Sequence, residues 1–115
     1  MRLLLIFSTV LCASCVSNPD AEAHRLALWN FHYEPDINNE WRIYDRIDRP
    51  FFGDCEDYSG TLQGVIGGDV WYVILPDKTA HAVLVKNSMV YDNLHKLPVS
   101  KGGYDGDFKY IMRAE

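Results

Sequence analysis

Cysteine is scarce in this chain: there are three. Two of them, Cys12 and Cys15, fall within the first 15 residues, so beyond that segment Cys55 is a lone thiol and no internal disulfide is possible. Basic charge is short as well, with 11 Lys and Arg against 16 Asp and Glu and a formal charge of -5. No basic cluster is visible, which excludes nucleic acid as a partner, because phosphate neutralisation needs grouped Lys and Arg. Linker-scale Pro/Gly/Ser tracts, internal repeats and low-complexity stretches are missing. With 115 residues, 48% of them hydrophobic, the chain is expected to bury one core and to form a single domain. The one long apolar run, Leu3 to Val10, is too short to span a bilayer.

That run does fit an export signal. Arg2 precedes it, and Leu11-Cys12-Ala13-Ser14-Cys15 supplies the small residues at its end. Cys12 and Cys15 also spell C-x-x-C, the spacing of a redox pair or half a zinc site, but they close a segment that is removed or embedded. The segment resembles a bacterial lipoprotein signal, with Ala13-Ser14-Cys15 as the end of a lipobox; Cys12 stands where Leu is usual, so plain signal cleavage is the alternative. The expected division is a signal over residues 1–15 and one domain over 16–115. The expected location is exported, periplasmic or membrane-anchored, with membrane contact only through a lipid at Cys15.

Beyond the signal the pattern is helices first and strands afterwards. Ala21 to Phe31 has good helix formers, with Leu26, Trp29 and Tyr33 on a partial helical period. Asn38 or Asn39 could cap a second helix carrying Trp41, Tyr44 and Ile47, which Pro50 would stop. The third is the best defined. Asp54 is a good N-cap, Asp57 completes a capping box, Tyr58, Leu62, Val65 and Ile66 follow a helical period, and Gly67-Gly68 ends it. From Val70 the period changes to two. Strands are expected at Val70–Leu75, His81–Val85, Met89–Leu94 and Phe108–Met112, with turns at Pro76-Asp77-Lys78, Lys86-Asn87-Ser88 and Lys101-Gly102-Gly103. The expected fold is therefore α+β, with the helix that carries Cys55 packed on a small antiparallel sheet.

Cys55 sits in the first turn of its helix, where partial positive charge and unpaired N–H groups favour a thiolate. The acidic neighbours Asp54, Glu56 and Asp57 oppose that, so a cationic partner is needed, and an imidazolium is the usual one. His81 opens a strand and Asp92 lies on the next. With Asn87-Ser88 as a two-residue loop, Lys86 pairs with Met89, and Asp92 becomes a diagonal neighbour of His81 on the same face. A four-residue loop would set them directly opposite; a three-residue loop without a bulge would separate them. Asp92 suits the role of orienting the imidazole, with Asn93, on the other face of a regular strand, as the alternative. Zinc held by Cys55, His81 and Asp92 is a further reading of the same residues. His24, His32 and His95 have no partner spacing and read as surface or capping residues.

Three blocks, Gly53-Asp54-Cys55-Glu56-Asp57-Tyr58, His81-Ala82-Val83-Leu84-Val85 and Tyr91-Asp92-Asn93-Leu94, resemble the bacterial transglutaminase-like cysteine peptidase family. The resemblance implies a papain-like core, a peptide or protein substrate and a catalytic triad, with Cys55 the nucleophile, His81 the base and acid, and Asp92 the orienting carboxylate. It calls for no cofactor. The oxyanion would take the Cys55 backbone N–H and one upstream donor, for which Trp41 and Tyr44 are candidates. Some periplasmic members bind calcium through acidic residues beside the nucleophile, and Asp54 and Glu56 match those positions, although helix capping accounts for them. The chain is short for the family. A degenerate, membrane-tethered peptide-binding module of the same fold is accordingly the rival expectation.

Overall fold

The computed structural model describes residues 18–36, 38 and 40–113. The expected signal, residues 1–15, lies outside the described residues, as does Asn39.

The first helix, α1 (Pro19–Asn30), starts where Asn18 accepts a hydrogen bond from the Ala21 N–H and Pro19 occupies the first turn. Its buried side is not the one the periodicity suggested. His24 and Ala27 face the core, while Leu26, Trp29 and Tyr33 are exposed. The chain continues directly into β1 (Phe31–Tyr33), which pairs in parallel with β2 (Phe51–Gly53). Neither strand was expected from the sequence, since three residues are too few to show a period.

Between them, no helix forms where one was expected around Trp41 to Ile47. The segment is irregular and lies over the second helix, α2 (Cys55–Ile66), instead. The backbone N–H groups of Arg42 and Tyr44 bond the Asp57 carboxylate and the Thr61 hydroxyl rather than an i−4 carbonyl. Long-range partners outcompeted a weak local pattern.

The main sheet comprises β3 (Asp69–Ile74), β4 (Ala80–Lys86), β5 (Met89–Tyr91), β6 (Val99–Ser100) and β7 (Asp107–Met112), in the order β6-β5-β4-β3-β7 with every pair antiparallel. A short 3₁₀ turn, Lys101–Gly103, links β6 towards β7. Alternation along β3 and β4 builds two cores. Val70, Ala82 and Leu84 pack with Tyr58 and Leu62 of α2, whereas Val73 and Val83 join Val90 and Tyr104 in a second cluster. The β4–β5 hairpin has the two-residue loop: Lys86 pairs with Met89, and Asn87 and Ser88 both take positive φ, as a type I′ turn requires. β5 stops at Tyr91, short of the expected Leu94, so Asp92 and Asn93 belong to the turn that follows.

Candidate active site

The tip of α2 is built by its capping box. Asp54 Oδ1 accepts from the backbone N–H groups of Glu56 (3.1 Å) and Asp57 (3.4 Å), and Asp57 Oδ2 accepts from the Asp54 N–H at 3.0 Å. Gly53 is required here, because a Cβ would run into the Asp57 carboxylate and undo the cap. Cys55, the first residue of the helix, is thereby held at its positive end.

β4 meets that tip at Ala82. The Ala82 N–H points at Cys55 Sγ (3.4 Å), and the Ala82 carbonyl accepts the buried Ser59 hydroxyl (3.1 Å) one turn along α2. Two bonds from one strand residue thus dock the helix against the strand. The neighbouring His81, 6% exposed, lies beside Cys55, whose interaction helps raise its pKa, and reaches Asp92 Oδ2 with Nε2 at 3.3 Å on the other side. A carboxylate only accepts, so Nε2 carries a proton and Nδ1 is the nitrogen left for the sulfur.

Asp92 is 1% exposed and surrounded by donors. Its Oδ1 accepts from the Leu94 N–H (3.1 Å), the His95 N–H (3.0 Å) and His95 Nδ1 (2.8 Å), and its Oδ2 from the Tyr104 hydroxyl (2.5 Å) as well as from His81. The side chain therefore caps the turn that carries it, which is why a residue beyond the strand end is still well placed. Cys55, His81 and Asp92 are brought together at the helix tip. Asn93 instead lines the adjoining groove, and its buried Oδ1 has no partner.

Electrostatics follow from these contacts. Burial pushes the His81 imidazolium down, but hydrogen bonds to Asp92 and Cys55, and the charges on both, outweigh it and lift His81 to about 9. Burial pushes the Asp92 carboxyl up, yet the hydrogen bonds from His81, Tyr104 and His95 hold it well below the usual carboxylate range. Glu56 goes the other way. Burial and the charges of Asp54, Asp57 and Asp36 raise it to about 7.

A groove of about 820 Å³ runs past Cys55 and His81. Leu28, Phe31, Tyr33, Leu75 and Leu94 contribute apolar surface to it, and Asp54, Glu56 and Asp77 are its acidic members. Trp41 and Tyr44 are not among the lining residues, and the Tyr44 hydroxyl is donated to the Phe52 carbonyl (3.0 Å), so the expectation that either serves an oxyanion is corrected.

Of the histidines read as surface or capping residues, His24 proves a buried structural residue, while His95 is half-exposed. His24 is fully buried; its Nε2 donates to the His95 carbonyl (2.8 Å), which leaves Nδ1 to accept from the Tyr58 hydroxyl (2.7 Å). His95 bonds Asp92 directly. The Asp92-Asn93-Leu94-His95 spacing could have hinted at the latter, since Asx turns reach a residue three places on. Nothing local pointed to Tyr104.

Asp36, Asp54 and Asp57 place carboxylate oxygens within 4.8 Å of one another, and Asp36 Oδ2 is buried without a partner. Calcium takes six or more oxygens; these three carboxylates, of which Asp54 Oδ1 and both Asp57 oxygens also accept backbone N–H groups, supply only part of such a set, and Glu56 stands outside the group. Zinc at Cys55, His81 and Asp92 is equally poorly served, because both Asp92 oxygens are committed to donors.

A helix whose N-terminus abuts a hairpin of an antiparallel sheet defines an α+β fold. Legionella pneumophila LapG shares it: its structure matches with a TM-score of 0.59 and 23% identity, over 90% of this chain and 70% of that one. At that identity the likeness establishes the fold. No protein-family model matches the sequence, and no curated protein does.

Proposed function

We propose that the protein is a cysteine peptidase with a papain-like core, in which Cys55 is the nucleophile, His81 the general base and acid, and Asp92 the carboxylate that orients His81. The observation that carries this reading is the position of His81, beside Cys55 and hydrogen-bonded to a buried, ionised Asp92 at the tip of a capped helix. The fold shared with LapG, a transglutaminase-like cysteine peptidase, supports it.

A peptide laid in the groove presents a carbonyl to Cys55 Sγ, whose proton already resides on His81 Nδ1, and the C–S bond forms as the carbonyl π electrons move onto oxygen. The oxyanion meets the Cys55 backbone N–H, which the Asp54 cap does not take. His81 then protonates the departing amine, the thioester remains on Cys55, and water activated by His81 releases the acid. Asp92 holds the tautomer and offsets the imidazolium charge throughout. The acidic groove members favour a substrate segment that is neutral or cationic near the scissile bond.

A thiol-directed peptidyl electrophile tests the reading: stoichiometric labelling of Cys55 at neutral pH, abolished in Cys55→Ala and at least tenfold slower in His81→Ala, is expected. Labelling of the parent at the rate of an unactivated thiol would sink it. The export signal and the lipid at Cys15 belong to the same proposal. Incorporation of a labelled fatty acid in cells, lost in Cys15→Ser, is the expected outcome.

A further inference from the structure

We propose that Tyr104 is a positioning residue that divides Asp92 Oδ2 with His81, keeping the imidazole on the weaker share of the carboxylate. This rests on the peptidase reading above.

The geometry sets an order among the donors. Tyr104 Oη lies 2.5 Å from Oδ2 and His81 Nε2 lies 3.3 Å from the same atom. Charge-assisted N–H···O bonds usually run about 2.7–2.9 Å. The His81 contact is therefore long and the tyrosine contact short on one shared oxygen. The opposite oxygen is saturated by the N–H groups of Leu94 and His95 and by the His95 ring, so the carboxylate cannot rotate to offer His81 a free atom.

Tyr104 cannot easily leave. Its ring is 8% exposed among Val73, Val83 and Val90, and packs edge-on against Phe108 and His95. Its backbone is tied to the 3₁₀ turn by the N–H bond to the Lys101 carbonyl at 3.3 Å. The direction of the hydroxyl bond is settled as well, because burial and the Asp92 charge push Tyr104 further above its ordinary phenol range while Asp92 stays ionised. The titratable groups around Asp92 are His81 from β4, His95 from its own turn, Tyr104, and, more distantly, His24 of α1 and Tyr58 of α2. Those around His81 are Cys55 and Asp92.

The chemical consequence concerns the proton that His81 must give up. An undivided carboxylate would hold an imidazolium more tightly and weaken it as an acid towards the leaving amine. Tyr104 draws off part of that hold without moving Asp92.

The test replaces the hydroxyl in both directions on the full-length protein. In Tyr104→Phe the ring stays and Oδ2 is left to His81 alone. The His81 titration followed by NMR, and the alkaline limb of kcat/KM, are expected to rise by roughly half to one pH unit, and kcat to fall by about three- to tenfold with KM little changed. Site-specific 3,5-difluorotyrosine at position 104, a stronger donor, is expected to move both down. A limb that stays put in both variants would reduce Tyr104 to packing and overturn the proposal. A downward shift in Tyr104→Phe overturns it too, since Tyr104 would then be strengthening the His81–Asp92 pair. The NMR titration reads His81 without any turnover, so failure of the peptidase reading and failure of this one are separable.

Discussion

Two groups of carboxylates flank Cys55, and they behave in opposite ways. Asp92, the more buried, is surrounded by donors from three segments and stays ionised with ease. Glu56, partly open to solvent at the helix tip, sits among Asp36, Asp54 and Asp57 and resists ionisation up to about 7. Burial by itself penalises both. What separates them is whether the surroundings supply hydrogen-bond donors or more negative charge. One side of the nucleophile is thus a fixed, satisfied anion, and the other is crowded, with Arg42 the only cation reaching it among the described residues, at 3.7 Å from Asp57.

The largest expected effect comes from breaking the satisfied side. Asp92→Asn removes the charge and sets an NH₂ against groups that already donate, so kcat/KM should drop by roughly a hundred- to ten-thousand-fold. Purified variant assayed beside the parent gives the number, and a loss below about threefold would mean that Asp92 does not orient His81. The crowded side offers the counterpart. Glu56→Gln should leave the rate within about threefold, because it removes repulsion without removing a donor or acceptor that His81 uses.

Next in size is the helix–strand dock beneath both sides. Ser59→Ala leaves the buried Ala82 carbonyl without its hydroxyl partner and is expected to cost about 1–2 kcal/mol. A shift of the denaturant midpoint at constant slope would show it.

The smallest effects are read from pH. His81 is raised from its ordinary 6.5 to about 9. Its contribution to stability is therefore complete below about 6.5 and is lost as pH rises through about 9, and activity should fall on the same limb. Asp92→Asn should bring that limb down. Glu56 has the same sign in a lower window. Its carboxyl binds a proton more tightly in the fold than its ordinary 4.5, so stability declines between about 4.5 and about 7, and Glu56→Gln should flatten that decline. Thermal melts across this range discriminate the two.

Much of this was legible in the residues. The helix at Cys55 could be read because its cap, its apolar period and its glycine stop agree with one another. The β4–β5 hairpin could be read because Asn87-Ser88 accommodates positive φ, and that register brings Asp92 to the neighbourhood of His81. The expected helix over Trp41 to Ile47 failed for an identifiable reason: its backbone N–H groups found Asp57 and Thr61, partners at a distance that local propensity does not weigh. Tyr104 was invisible, since a buried tyrosine beyond a short strand has no periodic mark.

The sequence by itself determined the α+β order, the capped helix that starts at Cys55 and the hairpin that follows His81, because each rests on local backbone preferences and short-range periodicity. Only the tertiary structure decided which groups surround Asp92, that His24 is a buried strut rather than a surface residue, and that the acidic tip is crowded. Those depend on which distant donors and charges share a desolvated volume, and spacing along a chain does not carry that information.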